Sequence, residues 1–306
     1  MGARSVATGE GPRSPGEDPG ASPRPDPAPG TSRREVGGRN LPVAIAVGVV
    51  LASIFLGSLF WHPVAFSLLI GVLVALACVE ASRVLRPVGV QLEVPVLLVS
   101  CAVMLVGAYQ ARHAGQAVGV AVLFIGAVLW QLSDPHRRDV VRTLAATVTF
   151  GLWTGFLASF GVLLVTRPEA AVVAVIGVVG AAIFSDIGGY AFGVAFGRRP
   201  IAPSVSPNKT WEGFLGGLLV ATVLAMIVLP LMSDRFSVLG SAVLALACGS
   251  ATFIGDLVES MIKRDLGVKD LGDLLPGHGG VLDRVDGILL ALPVGFYAVE
   301  LLLRSG

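Results

Sequence analysis

The sequence predicts an all-α, polytopic integral membrane protein with about nine transmembrane helices and a cytoplasmic N-terminus. Three observations carry that expectation. First, 54% of the 306 residues are hydrophobic and only 14% are charged, and the mean hydropathy is +0.80. A soluble domain carries roughly a quarter charged residues, so the bilayer must be the solvent for most of this chain. Second, charge-poor apolar runs recur near 41–60, 64–79, 94–110, 115–132, 143–165, 170–192, 213–232, 237–258 and 287–303. Each approaches the ~20 residues that a helix needs to cross ~30 Å of hydrocarbon, and a helix satisfies its own backbone polar groups in lipid. Third, nine crossings with a cytoplasmic tail leave only Arg112, Arg167, Arg235 and Arg304 of the 22 basic residues on the far side. That asymmetry follows the positive-inside rule, and one span more or fewer would scramble its downstream half.

In chain order, residues 1–40 carry seven prolines, eight glycines and almost no bulky apolar side chain. Such a segment cannot bury enough surface to offset its ordering entropy, which predicts a disordered cytoplasmic tail. It has no apolar h-region of the signal-peptide kind. Residues 41–165 read as the N-terminal transmembrane helices and 166–306 as a C-terminal transmembrane catalytic region. Cys78, Cys101 and Cys248 stand singly inside apolar runs and read as small buried hydrophobes. A net charge of +1 supplies no field that would recruit nucleic acid.

The two longest polar stretches, 197–212 and 259–286, fall on the cytoplasmic side and hold the residues with chemical spacing. Asp256, Glu259, Ser260 and Lys263 are spaced i, i+3, i+4, i+7 and share one face at the inner end of the eighth helix. An acid at the bilayer edge is costly unless it faces a cavity or a partner. A Glu259–Lys263 ion pair is the bland account of those two, but Asp256 has no basic residue one turn away. A glycine-rich stretch through Gly277, His278, Gly279 and Gly280 leads into Asp283, Arg284 and Asp286, at the depth of Asp256. Carboxylates from separate helices meeting at one depth make a hard oxygen site suited to Mg²⁺. The interleaved Lys263, Arg264, Lys269 and Arg284 make sense beside a cation if phosphates bind there too. His278 is a ligand, a base or a loop residue bonded to backbone. Upstream, Asp186 lies in the sixth helix near its cytoplasmic end, and Gly189, Gly193 and Gly197 have the spacing of close helix packing. Ser206 and Pro207 read as the N-cap and first residue of the seventh helix, with Lys209 making that N-terminus a phosphate cradle.

The run Ser260-x-x-Lys263-Arg264-x4-Lys269-Asp270-x-Gly272-x2-Leu275-Pro276-x-His278-Gly279-Gly280-Val281-x-Asp283-Arg284-Val285-Asp286 resembles the defining C-terminal motif of the phosphatidate cytidylyltransferases. Asp186-x-x-Gly189-Tyr190-x-x-Gly193 and Ser206-Pro207-x-Lys209-Thr210-x-Glu212-Gly213 are similar to the same family. The resemblance is sharp over 185–287 and only hydropathic over 41–184; Leu271 departs from it, standing where many members have a small polar residue. It implies CTP and phosphatidic acid as substrates, a homodimer in the cell (inner) membrane, and a cytoplasm-facing site. It also implies one or two Mg²⁺ ions, with Mn²⁺ the alternative, held mainly by Asp256 and Asp283, with Asp286 and Glu259 secondary. Lys263, Arg264, Lys269, Arg284 and His278 would then act on the reacting phosphates. Asp186, Tyr190, Ser206, Lys209, Glu212, Ser260, Gly279 and Gly280 would line the substrate site. A transporter is the competing reading of intramembrane acids, but a carrier site belongs near the midplane between repeats, and these acids gather at one face. The paired Asp-Gly/Ala-Arg helix pattern of the CDP-alcohol phosphotransferases is absent.

Overall fold

A computed structural model describes residues 41–135, 139–268, 270–272 and 280–305; the predicted tail at 1–40, Lys269, His278 and Gly279 lie outside them. The elements in order are α1 (Leu41–Trp61), α2 (Pro63–Leu85), α3 (Val94–Ser133), α4 (Val140–Gly151), α5 (Leu157–Val165) and α6 (Ala171–Phe196). Then come β1 (Pro200–Ala202), β2 (Ser206–Thr210), α7 (Trp211–Met232), α8 (Val238–Asp265) and α9 (Leu282–Ser305). A π-helical turn, Leu152–Phe156, joins α4 to α5. Among the described residues, seven helical stretches are long and apolar enough to cross a membrane, with Val47–Trp61 a shorter eighth.

The seven include α3, which is not one rod. Its helix breaks at Arg112 (φ 51, ψ −130), inside the polar gap that separates two of the predicted runs. A Cβ at Gly107 would sit 2.6 Å from the Gly115 carbonyl oxygen, one at Gly119 would meet Met104, and one at Gly126 would touch Val96. These pairs step outward symmetrically from Arg112, so the two arms of α3 fold back on each other as an antiparallel hairpin. Glycine at 107 and 115 is what lets the backbones approach so closely.

The packing of α6 on α7 has the same origin. Gly189 and Gly193 lie against Gly213, and Gly197 against Thr210, so the predicted small-residue spacing does mark a close helix contact. The link between these helices departs from expectation. Ser206 does not cap α7: it begins β2, which pairs antiparallel with β1 through Pro200–Thr210 and Ala202–Ser206. A residue before proline is driven towards extended backbone, and Ser206 precedes Pro207. The cap is Thr210, whose Oγ1 accepts the Gly213 N–H at 3.1 Å. The fold is therefore all-α except for this hairpin.

Polar side chains collect at the two ends of the bundle. At one end Arg112, Arg167 and Arg304 converge on Glu300, and Arg235 pairs with Glu169 at 3.2 Å. These are the four basic residues that the charge count set apart. The other end holds the candidate site. Cys78, Cys101 and Cys248 are free and buried, as expected.

Candidate active site

Three helices, α6, α8 and α9, and the β-hairpin build one polar cluster. Asp256 sits near the C-terminal end of α8, and Gly255 and Gly287 let α9 approach it: a Cβ at Gly287 would lie 2.6 Å from Asp256 Oδ1. That approach brings Asp286, in the first turns of α9, close enough to Asp256 and Glu259 for the three carboxylates to interact electrostatically. The hairpin carries Lys209 to the same point, where its ammonium donates to Asp256 Oδ2 at 2.9 Å and lies 5.1 Å from the Phe253 ring centroid. Lys209 therefore reaches the cluster from an extended strand, not from the first turn of a helix. Asp186 of α6 feels the charges of Asp256, Lys209 and Asp286, so the sixth helix brings an acid to the same cluster.

A second set adjoins the first. Lys263 is seated between Glu259 and Asp283, 2.7 Å from an oxygen of each. The Glu259–Lys263 pair is thus real, but it is one side of a bridge between α8 and α9 rather than an isolated surface pair. The other Glu259 oxygen, Oε1, is buried with no hydrogen-bond partner. Asp283 also accepts from the Leu271 N–H (3.0 Å) and the Gly280 N–H (2.8 Å). Its two oxygens therefore hold the ends of the glycine-rich stretch against α8. Leu271, the departure noted in the motif, contributes a backbone N–H, which any non-proline residue supplies.

The remaining predicted residues fall into different roles. Arg264 donates through Nε to the Val205 carbonyl at 3.2 Å and so ties α8 to the hairpin. Glu212 accepts from the Arg198 and Arg199 N–H groups at 3.1 and 3.2 Å and closes the turn that follows α6. Ser260 is half-buried on α8, and Arg284 is exposed at the start of α9. Tyr190 is 77% exposed, one turn along α6 from Asp186 and on a face it shares with Ile187 and Val194.

Sequence reasoning missed Glu80. This α2 residue is 5% exposed, and its Oε2 accepts the Val281 N–H at 2.6 Å across 201 residues of sequence. Gly272 and Gly280 fold over it so closely that a Cβ at Gly272 would fall 1.7 Å from its carboxyl carbon. The available signal was that Glu80 is the only acid between Leu41 and Ser82, inside an apolar run where an unpartnered carboxylate is costly.

The donor set can be tested against a hard cation. Among the described residues no three carboxylates or imidazoles converge on one point, because lysines lie between them. Asp256, Asp286 and the orphaned Glu259 Oε1 nevertheless supply hard oxygens from two helices at one depth, which is the chemistry Mg²⁺ requires. Asp283 is already engaged by three donors. A divalent ion would draw its oxygens from the Asp256–Asp286 side of the cluster.

Residues 42–302 match the sequence profile of the Cytidylyltransferase family. The chain is 35% identical over 314 residues to the phosphatidate cytidylyltransferase of Mycobacterium tuberculosis (strain CDC 1551 / Oshkosh), covering 98% of this chain and 94% of that one. It is 35% identical to the protein of the same name from Mycobacterium leprae (strain TN), over 87% of this chain and 89% of the relative. The phosphatidate cytidylyltransferase of a Pseudomonas aeruginosa strain is 36% identical over 82% of this chain and 93% of its own length.

Proposed function

This chain belongs to the cytidylyltransferase family, and we propose that it transfers CMP from CTP to phosphatidic acid, giving CDP-diacylglycerol and pyrophosphate. The observation that carries the reading is the convergence of Asp186, Lys209, Asp256, Glu259, Lys263, Asp283 and Asp286 at one end of an apolar helix bundle. A lipid phosphate lies at that depth, and a water-soluble nucleotide can reach it.

In the reaction, a phosphate oxygen of phosphatidic acid forms a bond to the α-phosphorus of CTP as the bond to the β-phosphate oxygen breaks. The nucleophile is already an anion, so no strong base is needed. The barrier comes from anion–anion repulsion and from charge growing on the leaving pyrophosphate. Lys209 and Lys263 supply fixed positive charge on either side of the acids, and Arg284 adds a third cation at the start of α9. Lys269 and His278 keep the phosphate roles expected from the motif. The acids hold these lysines in place, and Asp256 with Asp286 and Glu259 would bind the divalent ion. When bound, that ion supplies Lewis-acid stabilisation of phosphoryl charge.

The positive-inside asymmetry and the hairpin form of α3 together support nine crossings with the N-terminus and the site on the cytoplasmic side of a bacterial inner membrane.

The test uses purified protein in detergent micelles with labelled CTP and phosphatidic acid. The label should move into the organic phase with matching pyrophosphate release, and a chelator should stop both. Absence of lipid-soluble label from folded protein with added Mg²⁺ would overturn the reading.

A further inference from the structure

The end of the bundle opposite the catalytic cluster gathers a second set of charges, which the reaction does not use. Arg112 at the turn of α3, Arg167 after α5 and Arg304 near the end of α9 converge on Glu300. The three are not equivalent. The Arg167 side chain is 9% exposed and donates a hydrogen bond to Glu300 Oε1. Arg112 and Arg304 approach the same carboxylate at 3.9 and 3.6 Å, and their side chains are 45% and 79% exposed. Those distances exceed hydrogen-bond length. One carboxylate balances one guanidinium, so the group keeps an excess of positive charge on its two outer members. We propose that Arg112 and Arg304 bind the headgroup phosphate of an anionic phospholipid in the leaflet opposite the active site.

Guanidinium groups suit that ligand, because their forked donors match the oxygens of a phosphate. Arg112 approaches Glu300 Oε1 and Arg304 approaches Oε2, so the two flank one carboxylate and can take one further anion between them. Glu169, an acid at the same end, is engaged by Arg235 at 3.2 Å. A zwitterionic headgroup brings an ammonium that two unbalanced guanidinium groups repel. The excess charge therefore favours a headgroup whose net charge is negative.

The surface beneath the arginines selects a lipid over a free anion. Val294, Tyr297 and Leu301 of α9 are 37%, 53% and 68% exposed. With Arg304 they follow the i, i+3, i+7, i+10 spacing of one helix face. At ~1.5 Å per helical residue the stripe is about 15 Å long, roughly half of a ~30 Å hydrocarbon core, and so the depth of one leaflet. An acyl chain laid along it places the lipid phosphate at the level of Arg304. Asp283 lies about 30 Å further down the same helix, so this lipid is not at the reacting end. The α3 turn is seated on α9 beside the stripe: the His113 ring lies parallel to Tyr297 at 6.2 Å and edge-on to Phe296 at 5.3 Å. A phosphate held by Arg112 and Arg304 would clasp that turn to α9, the helix that carries Asp283 and Asp286.

The test is headgroup-selective stabilisation. Delipidated full-length protein in neutral detergent micelles is melted with dioleoyl phosphatidylglycerol, dioleoyl phosphatidylcholine or inorganic phosphate. Phosphatidylglycerol should raise the melting midpoint by about 5–10 °C at saturation, and the other two by less than about 2 °C. The double variant Arg112→Gln/Arg304→Gln should lose that rise while its midpoint in phosphatidylcholine stays within about 2 °C of wild type. Lys209→Met should keep the rise, which separates this site from the catalytic cluster. An equal rise with phosphatidylcholine or inorganic phosphate, a rise that survives the double variant, or one lost with Lys209→Met overturns the proposal. A second measurement needs no variant. Phosphatidylglycerol carrying a diazirine midway along one acyl chain is photolysed with wild-type protein. Label on residues 294–304 of α9 supports the site; label confined to other helices, as when a second copy of the chain covers this face, overturns it. Both measurements read binding, so they stand whether or not the chain makes CDP-diacylglycerol.

Discussion

Substituting Gly272 by alanine should disable the enzyme through Glu80. A Cβ at position 272 would lie 1.7 Å from the Glu80 carboxyl carbon, whereas ordinary contact begins at 3.4 Å. The two groups must therefore separate by about 1.7 Å. If the backbone at 271–272 moves, it carries away the Leu271 N–H that binds Asp283, and with it the Lys263 bridge to α8. A misplacement of ~1 Å in a positioned group costs on the order of 10²-fold in rate, so a loss of that size in kcat is expected. If Glu80 swings out instead, Val281 N–H is buried without an acceptor, at a cost of about 1–3 kcal/mol. A double-mutant cycle separates these routes. Glu80→Ala alone orphans the same N–H, so the pair Glu80→Ala/Gly272→Ala should be little worse than the worse single variant, with a coupling of about 1–2 kcal/mol. The assay is pyrophosphate release in mixed micelles, with thermal melts as a folding control. Near-normal kcat for Gly272→Ala, or strictly additive losses in the cycle, would refute the clamp.

Other consequences are open to equally direct measurement. Lys209→Met should lower kcat/KM by about 10²-fold, because a preorganised charge at the reacting phosphates is lost, while Glu212→Gln should stay within a few-fold, since its amide oxygen still accepts from Arg198 and Arg199. Asp256→Asn should abolish most turnover and raise the Mg²⁺ concentration needed for half-maximal activity, read from a metal titration of the chelator-treated enzyme. Glu93, in the turn before α3, gives a pH signature. Burial raises its carboxyl above the ordinary value of 4.5 against the opposing hydrogen bond from Gln131, and Glu93 Oε2 and Gln131 Oε1 both lack partners. The folded state therefore binds the proton more tightly than the unfolded state, so stability falls as pH rises from about 4.5 through the raised value and is flat above it. Glu93→Gln supplies a permanent donor and should remove that dependence in thermal melts, with a gain of about 0.5–1.5 kcal/mol at neutral pH.

Much of this site was legible because its chemistry is local in sequence. Asp256, Glu259 and Lys263 share a face by helical spacing alone, and Asp283 and Asp286 open the next helix, so the meeting of α8 and α9 follows from two adjacent spans. Ser206 was misread because serine followed by proline is also a helix start; pairing with Pro200–Ala202 across a tight turn made the segment a strand, and no local property of Ser206 encodes that partner. The Lys209–Asp256 bond was equally hidden, since strand geometry rather than helix spacing carries the lysine there. Glu80 was out of reach for a different reason. Its partner lies 201 residues away, and a single acid in an apolar run names no partner. The break in α3 was visible as a polar gap around Arg112, but the closeness of its arms came from Gly107 and Gly115, which read equally well as unremarkable membrane glycines.

The arrangement of the charges also explains how such a cluster persists at the edge of a bilayer before either substrate arrives. Five acids at one depth would repel one another and favour taking up protons, and two lysines alone would draw in any passing anion. Interleaving them gives three of the five a cation in contact: Lys209 on Asp256, and Lys263 between Glu259 and Asp283. Those ion pairs are weak evidence for net stability, because desolvation consumes most of their Coulomb energy. Their effect is to hold lysine ammonium groups at defined points in a partly dry site, where they need little reorganisation when phosphates enter. A polyanion that takes over a lysine frees carboxylate oxygens, and those oxygens are the donors a divalent ion needs. Nucleotide and metal binding should therefore be mutually reinforcing through the same lysines. Titration of CTP into the chelated protein, with and without Mg²⁺, reads that coupling directly. Equal CTP affinity in the two titrations would show that the lysines and the acids act independently.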